Sequence, residues 1–421
     1  MSDNITQQRR KRPGFINTIY RSDAKVGRFL SVLAFYGVAY GLYRGIQDNY
    51  LAEIVHIAPF ERGVVEFFRE LPGLFLIFIL ALLYKLSDSK VFKIGLALTA
   101  AGLAGLLLTS SHDFFLTKVF VILFMVVYSA GEHIIMPVRS TIAMELAKEE
   151  NLGSSLGIVS AIGQFGNIAG FLIVSAVFFV LSRLGFDRAD AAGYRIVFGI
   201  STALMIATMM IAAAMKETRL KAPRQRFYFA KKFRKFYMLE VLYGARKQVF
   251  LTFAPYVLIV YYKADPSIMG ILYAVCAVFT MIFSPAIGKL IDKLGYKIIM
   301  VADTLILIIV CLLYGFAHRL FSHEVAFIVV SVNFVLDAII STASMANSVY
   351  IKDIAESQEE ITATLSTGIS VNHVFSVLIA LLGGWIWTVS GIEVLFIMSA
   401  VLGLLNSLNA ATIKTGKKVG A

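Results

Sequence analysis

Gly288-Lys289-Leu290-Ile291-Asp292-Lys293-Leu294-Gly295-Tyr296-Lys297 is a short polar, basic break between two long apolar runs. An imperfect copy stands 204 residues earlier. Lys85-Leu86-x-Asp88, then Lys93-Ile94, aligns without a gap on Lys289-Leu290-x-Asp292, then Lys297-Ile298. A polar loop repeated at that distance, with apolar runs on both sides of each copy, implies one design used twice.

Composition says what solvent surrounds it. The 421 residues are 58% hydrophobic and 16% charged, with a mean hydropathy of +0.77, whereas soluble domains are about 45–50% apolar. Apolar stretches of about 18 to 20 residues recur along the whole chain, each long enough to cross a hydrocarbon core of roughly 30 Å as a helix. Helices satisfy their own backbone hydrogen bonds there, so the expectation is an all-α membrane protein of twelve spans, six and six.

The net charge of +12 would point to nucleic acid in a soluble protein, so the charges must be placed first. With a cytoplasmic amino terminus, and with Lys85 and Arg195 at span ends counted with the loops they border, 27 of the 39 Lys and Arg residues fall in inner tails and loops, 7 outside and 5 within spans. That is the positive-inside pattern: the basic balance reports topology and anionic lipid, with both termini cytoplasmic and no nucleic-acid partner. Arg9, Arg10, Lys11 and Arg12 precede an apolar run without a small-residue cleavage site, which reads as an uncleaved first helix. Cys276 and Cys311 both fall inside spans, and no disulfide framework, metal-ligand spacing or cofactor motif is present.

The expected organisation is a basic tail (1–28), a first six-helix bundle (29–215), a basic linker (216–237), a second bundle (238–413) and a short tail (414–421). The spans are placed at 29–54, 64–86, 94–109, 120–146, 156–181 and 194–215, then 238–262, 268–283, 298–316, 325–350, 362–389 and 394–408. Asp187, Arg188 and Asp190 fall in an outer loop. In the linker, Phe229, Phe233 and Phe236 interleave with Lys231, Lys232, Arg234 and Lys235. This is either a short helix lying on the inner leaflet or a solvated charge run entering the seventh span.

The run Gly288-x-Leu290-x-Asp292-x-x-Gly295-x-Lys297 resembles the loop between the second and third helices of a six-helix half in the major facilitator superfamily. The resemblance extends over nearly the whole chain through topology, repeat and central basic loop. The amino-terminal copy departs from the pattern, with Tyr84 and Val91 at its two glycine positions. Span five has Gly163-Gln164-Phe165-Gly166 in place of the Gly-Pro pair of many drug antiporters, and Arg139 lacks the Gln-Gly that follows the motif arginine of drug exporters. The resemblance implies a carrier working by alternating access, with the first helix of each half lining a central cavity. Asp88, Lys93, Gly288, Asp292, Lys293, Gly295 and Lys297 would then form reversible gating contacts, each charge-assisted bond worth about 1.5–3 kcal/mol.

Charges within spans cost at least about 2.5 kcal/mol each at the bilayer centre, so every one is a functional candidate. Arg44 and Asp48 share a face of span one, and Glu66, Arg69 and Glu70 share a face of span two. Brought together they hold one carboxylate in excess, a property useful for proton coupling. The alternative is a fully paired structural network. Glu132 and His133 near the middle of span four, with Tyr128 and Arg139, Asp337 in span ten and His373 in span eleven complete the proton-coupling candidates.

Span seven carries Tyr243-Gly244-Ala245-Arg246-Lys247 and span one Tyr40-Gly41-Leu42-Tyr43-Arg44, so each half places a cation at similar depth. Arg44, Arg246 and Lys247, with Tyr40, Tyr243, Asn333 and Asn372, are the expected binding residues for an anionic or carboxylate group. Asp303, on a helix that the family places peripherally, reads as structural.

Three functions stay open. The first is a monomeric secondary transporter of a small anionic or zwitterionic organic solute in the inner cell membrane, coupled to protons or Na+. The second is a proton-driven exporter of lipophilic cations, drawn by Asp48, Glu66, Glu70, Glu132 and Asp337. The third is a membrane solute receptor. No phosphate-binding Gly-x-x-x-x-Gly-Lys-Ser/Thr loop, serine elbow or His-rich metal motif supports an ATP-driven pump or an enzyme.

Overall fold

A computed structural model describes residues 18–21, 24–109, 114–186, 191–215 and 228–413. The basic tail residues 9–12, the loop residues 187, 188 and 190, the linker segment 216–227 and the tail 414–421 lie outside the described residues. Among the described residues every named element is a helix. The first six are α1 (Ala24–Asn49, extended by a π turn Tyr50–Ile54), α2 (Pro59–Leu74, extended by Leu76–Leu82), α3 (Asp88–Leu108), α4 (Phe114–Leu146), α5 (Leu152–Arg183) and α6 (Ala191–Ala213). The second six are α7 (Arg234–Val260), α8 (Pro266–Leu294), α9 (Tyr296–Leu320), α10 (His323–Ile340, continued by Met345–Ile354) and a run Gln358–Ala411. That run bends at Gly391, where φ is 87°, and so supplies α11 (358–390) and α12 (392–411).

Nine of the described helices are long and apolar enough to cross a membrane. The bent run counts once among them; α2, 16 residues long before it breaks at Phe75, and α7, which carries Arg246 and Lys247 along its length, are outside the nine. The arrangement is that of a multi-pass membrane protein.

The repeated loop has a definite geometry. α8 ends at Leu294, α9 starts at Tyr296, and the single residue between them, Gly295, has φ 83°. A side chain at that backbone angle is strained, which is why the turn needs glycine. The two motif lysines do equivalent work in the two halves. Lys93 Nζ donates to the Met215 carbonyl at 3.0 Å and Lys297 Nζ to the Ile413 carbonyl at 3.0 Å. Each lysine thus caps the end of its own half's last helix, where carbonyls lack partners and the dipole favours a cation. In this state both bonds stay within one half. Asp88 is buried at the first turn of α3, while Asp292 and Lys293 are exposed and Gly288 is half-buried.

Three boundaries differ from expectation. α2 starts at Pro59, whose fixed φ suits the first helical position, so Arg62 belongs to a helix and not to an outer loop. α7 starts at Arg234, inside the stretch assigned to the linker. α10 breaks into a tighter turn at Ser341–Ser344. Of the three linker phenylalanines, Phe233 and Phe236 are buried in a cluster with Ile291, Tyr296 and Ile351, and Phe229 is exposed. Lys232 pairs with Glu356 at 3.0 Å and Glu360 at 2.8 Å, and that bond holds the Glu360 carboxyl down to about 2.

Where the two sets of six helices meet decides the state. α2 packs along α11 and α5 along α8, and the named bonds across this boundary lie toward the end opposite the linker. Asn49 Nδ2 donates to the Ala264 carbonyl at 2.9 Å, Ser267 Oγ to the Ser175 carbonyl at 3.1 Å, and the Tyr256 hydroxyl to the Ile57 carbonyl. At this far end α2 and α11 approach backbone to backbone: a Cβ on Gly384 would lie 3.0 Å from the Pro59 and Phe60 carbonyl oxygens, and one on Gly63 would strike the Ala380 carbonyl. At the linker end the tethers made by Lys93, Lys297 and Lys232 each stay within one half. The far end is closed.

Candidate functional site

A cavity of about 580 Å³ lies between the halves. It runs from Gln248 and His373 to Phe236 and Leu365 near the linker end. α1 contributes Tyr40 and Arg44, and α7 contributes Tyr243 and Lys247. The two pairs stand in matching register, because Gly41 packs on Asn167 of α5 just as Gly244 packs on Asn372 of α11. Four residues separate tyrosine from cation in each helix, which puts both on the face one turn apart. Asn372 also lines the cavity. Its Nδ2 donates to the Glu240 carbonyl at 3.3 Å.

Arg246 departs from expectation. It is 1% exposed, turned into its own half, with Nη2 3.8 Å from Asp303 and its guanidinium 5.0 Å from the Tyr243 ring centre. Adjacent helical residues point about 100° apart, so with Lys247 aimed at the cavity its neighbour must face away. Arg44 and Arg246 therefore do not confront one another. Asn333 is likewise absorbed, donating to the Val329 carbonyl of its own helix at 2.7 Å. Asp337 is outside the lining, with Arg246 and Lys247 as its charged neighbours.

An ion network closes the cavity on its far side. Arg62, 0% exposed, donates to Asp48 at 3.0 Å and to Glu66 at 2.9 Å. Arg69 reaches Glu66 at 2.7 Å, touches Glu70, and lies 3.9 Å from Glu132. The second half joins at three points: Tyr273 donates to Asp48 at 3.0 Å, Gln248 to Glu66 at 3.0 Å, and His373 Nδ1 stands 3.0 Å from Glu70 Oε2. Arg44 is set apart, bonded to Gln47 at 2.9 Å. Arg62 is the member that sequence reasoning missed, although its spacing of four from Glu66 was visible.

His133 sits beside His373, the ring centres 5.2 Å apart and nearly perpendicular. Its Nδ1 is 2.8 Å from the Ser129 carbonyl. Gly73 makes room for both rings, since a Cβ there would come within 2.5 Å of His133 Nε2 and 2.9 Å of His373 Cε1. Arg139 and Glu132 line a smaller cavity of about 250 Å³ with Tyr36 and Gln164.

A family model described as Major Facilitator Superfamily matches the sequence twice, over residues 29–239 and 236–418. The chain belongs to the major facilitator superfamily. Solved structures agree on the superfamily fold. The nucleoside transporter NupG is 14% identical with a TM-score of 0.67, covering 92% of this chain and 98% of that one. A bacterial homologue of the iron transporter ferroportin in an inward-facing state is 12% identical with a TM-score of 0.71, covering 92% and 97%. A D-xylose-proton symporter is 15% identical with a TM-score of 0.67, covering 92% and 96%. No curated protein matches the sequence. At such identities the likeness is one of fold.

Proposed function

We propose that this protein is a secondary active carrier of a small organic anion or zwitterion, working by alternating access and coupled to an inward-moving cation, a proton or Na+. The observation that carries the reading is the cavity shared by the two halves, where Arg44 and Lys247, neither held by a carboxylate as the lining Arg69 is, each stand beside a tyrosine, Tyr40 and Tyr243. Cations held at a site with few competing waters attract a carboxylate strongly. The coupling reading rests on the network: Asp48, Glu66, Glu70 and Glu132 are four carboxylates bonded to two guanidiniums, Arg62 and Arg69, while Arg44 stands apart on Gln47. The cluster therefore favours the uptake of further positive charge.

The positive-inside pattern places the linker and both termini in the cytoplasm of a cell bounded by its inner membrane. In that orientation the described state, closed at the far end, faces inward. The two sets of six helices, joined by the basic linker, act as the rocking units of a monomer.

The test begins with a thermal-shift screen of detergent-purified protein against organic acids, amino acids, nucleosides, sugars and lipophilic cations, since a ligand of the folded form raises the melting point. Hits are then followed in proteoliposomes under an imposed pH or Na+ gradient. Lys247→Met and Arg44→Met should each cut uptake of an anionic hit by about 10- to 100-fold, the worth of one charge-assisted bond. Stabilisation by lipophilic cations alone, or uptake indifferent to both substitutions, overturns the anion reading in favour of an exporter. Tight binding without any counterflow favours a receptor.

A further inference from the structure

The geometry points to a divalent transition-metal site at the boundary of the two halves, formed by Glu70 of α2, His133 of α4 and His373 of α11. One ligand atom from each of these residues lies within 4.8 Å of the other two. Around a zinc-sized ion with bonds of about 2.1 Å, tetrahedral ligand atoms stand about 3.4 Å apart. The pair Glu70 Oε2 and His373 Nδ1, at 3.0 Å, is already that close, and His133 has to move by about 1 Å to complete the set.

The outer contacts are those that ligands require. His133 Nδ1 is engaged by the Ser129 carbonyl at 2.8 Å, so the ring donates there and turns the lone pair of Nε2 toward Gly73 and His373. Glu70 is held through Oε1 by Arg69, which leaves Oε2 to act as a single-oxygen ligand. The Arg69 charge is itself shared with Glu66 and Glu132, so a dication entering this network meets an excess of carboxylate. Glu70, His133 and His373 all line the main cavity, which gives the ion an entry path and leaves its remaining coordination positions open to water or to a carboxylate of the solute. Two imidazoles and one carboxylate with open positions select zinc, cobalt, nickel or iron(II) over calcium and magnesium.

The position of the site matters as much as its chemistry. Glu70 and His133 belong to the first half and His373 to the second, so a bound ion ties the halves together below the closed far end. Metal occupancy then favours this state by the difference in its affinity for the two conformations.

The experiment uses full-length protein in detergent with its affinity tag removed. It is dialysed against Zn2+ or Co2+, bound metal is counted by mass spectrometry, and Co2+ is followed by its visible ligand-field absorption. One Zn2+ per chain is expected, displaceable by Co2+, with Glu70→Gln, His133→Gln and His373→Gln each weakening binding at least about tenfold. X-ray absorption fine structure of the unsubstituted zinc-loaded protein supplies a readout that does not depend on the variants folding, and should count two imidazole nitrogens at about 2.0–2.1 Å. No retained metal, fewer than two imidazoles, or binding indifferent to the three substitutions overturns the assignment.

Discussion

Adding one methyl group where α2 crosses α11 should open the far end. A Cβ on Gly384 would sit 3.0 Å from two carbonyl oxygens, those of Pro59 and Phe60, and 3.2 Å from the Phe60 Cα. Relaxed C···O contacts lie at about 3.3–3.6 Å, so the helices must part by about 0.3–0.6 Å along a seam that is packed on both sides. The obstacles are backbone atoms, which cannot rotate aside. Overpacking of this kind costs about 1–3 kcal/mol, and the cost falls only on the state in which the far end is closed. At about 1.4 kcal/mol per tenfold, a 2 kcal/mol penalty moves the balance between closed and open far ends by about 30-fold. Gly63→Ala acts on the same seam through the Ala380 carbonyl, so the double variant should fall short of the sum of the two. Spin labels at exposed Leu184 and Leu320, one on each half, in a chain carrying Cys276→Ser and Cys311→Ser, would report the separation by pulsed electron resonance. A longer distance component should grow in Gly384→Ala and Gly63→Ala and stay unchanged in Gly199→Ala, where nothing lies within 4 Å of the new atom. A distribution that is the same in all three folded variants refutes the idea that this glycine crossing is the far-end seal.

Arg62→Met leaves Asp48 and Glu66 buried without their shared partner, which should destabilise the protein by about 3–5 kcal/mol; adding Asp48→Asn should recover part of the lost melting temperature in detergent. Lys93→Met and Lys297→Met each remove one cap on a last helix, at about 0.3–1 kcal/mol apiece, and because the two sites lie in different halves their effects on thermal unfolding should add. The Glu360 carboxyl, held down to about 2 mainly by its bond to Lys232, contributes stability that is present above the ordinary carboxylate range and is lost as pH falls toward 2. Glu360→Gln should therefore lower the melting temperature at pH 7, with the gap to the unsubstituted protein closing between about pH 4.5 and pH 2.

The fold was legible because a membrane leaves few choices. Apolar runs of spanning length must be helices, and an ungapped polar repeat between such runs must be a duplicated loop. What escaped was lateral position. The apolar run that marks span two begins only at Val64, yet Pro59 opens the helix and Glu61 closes its first turn through the Ala58 amide at 2.8 Å. That shift of five residues hid the most buried arginine of the ion network. His133 and His373 were each visible as intramembrane histidines, but nothing in one chain's spacing says that α4 and α11 bring them against the same turn of α2.

The fate of Arg246 shows how fine the limit is. The loop copies repeat at an interval of 204 residues, but the first helices repeat at 203, as Gly41 and Gly244 reveal by packing on Asn167 and Asn372. At 203 the mate of Arg44 is Lys247; Arg246 is then the mate of Tyr43, and both of those are buried within their own halves. One residue of register is about 100° of helix, enough to send one cation into the shared cavity and the other to Asp303. Duplication thus carries positional information finer than any single span does, provided the repeat is aligned helix by helix.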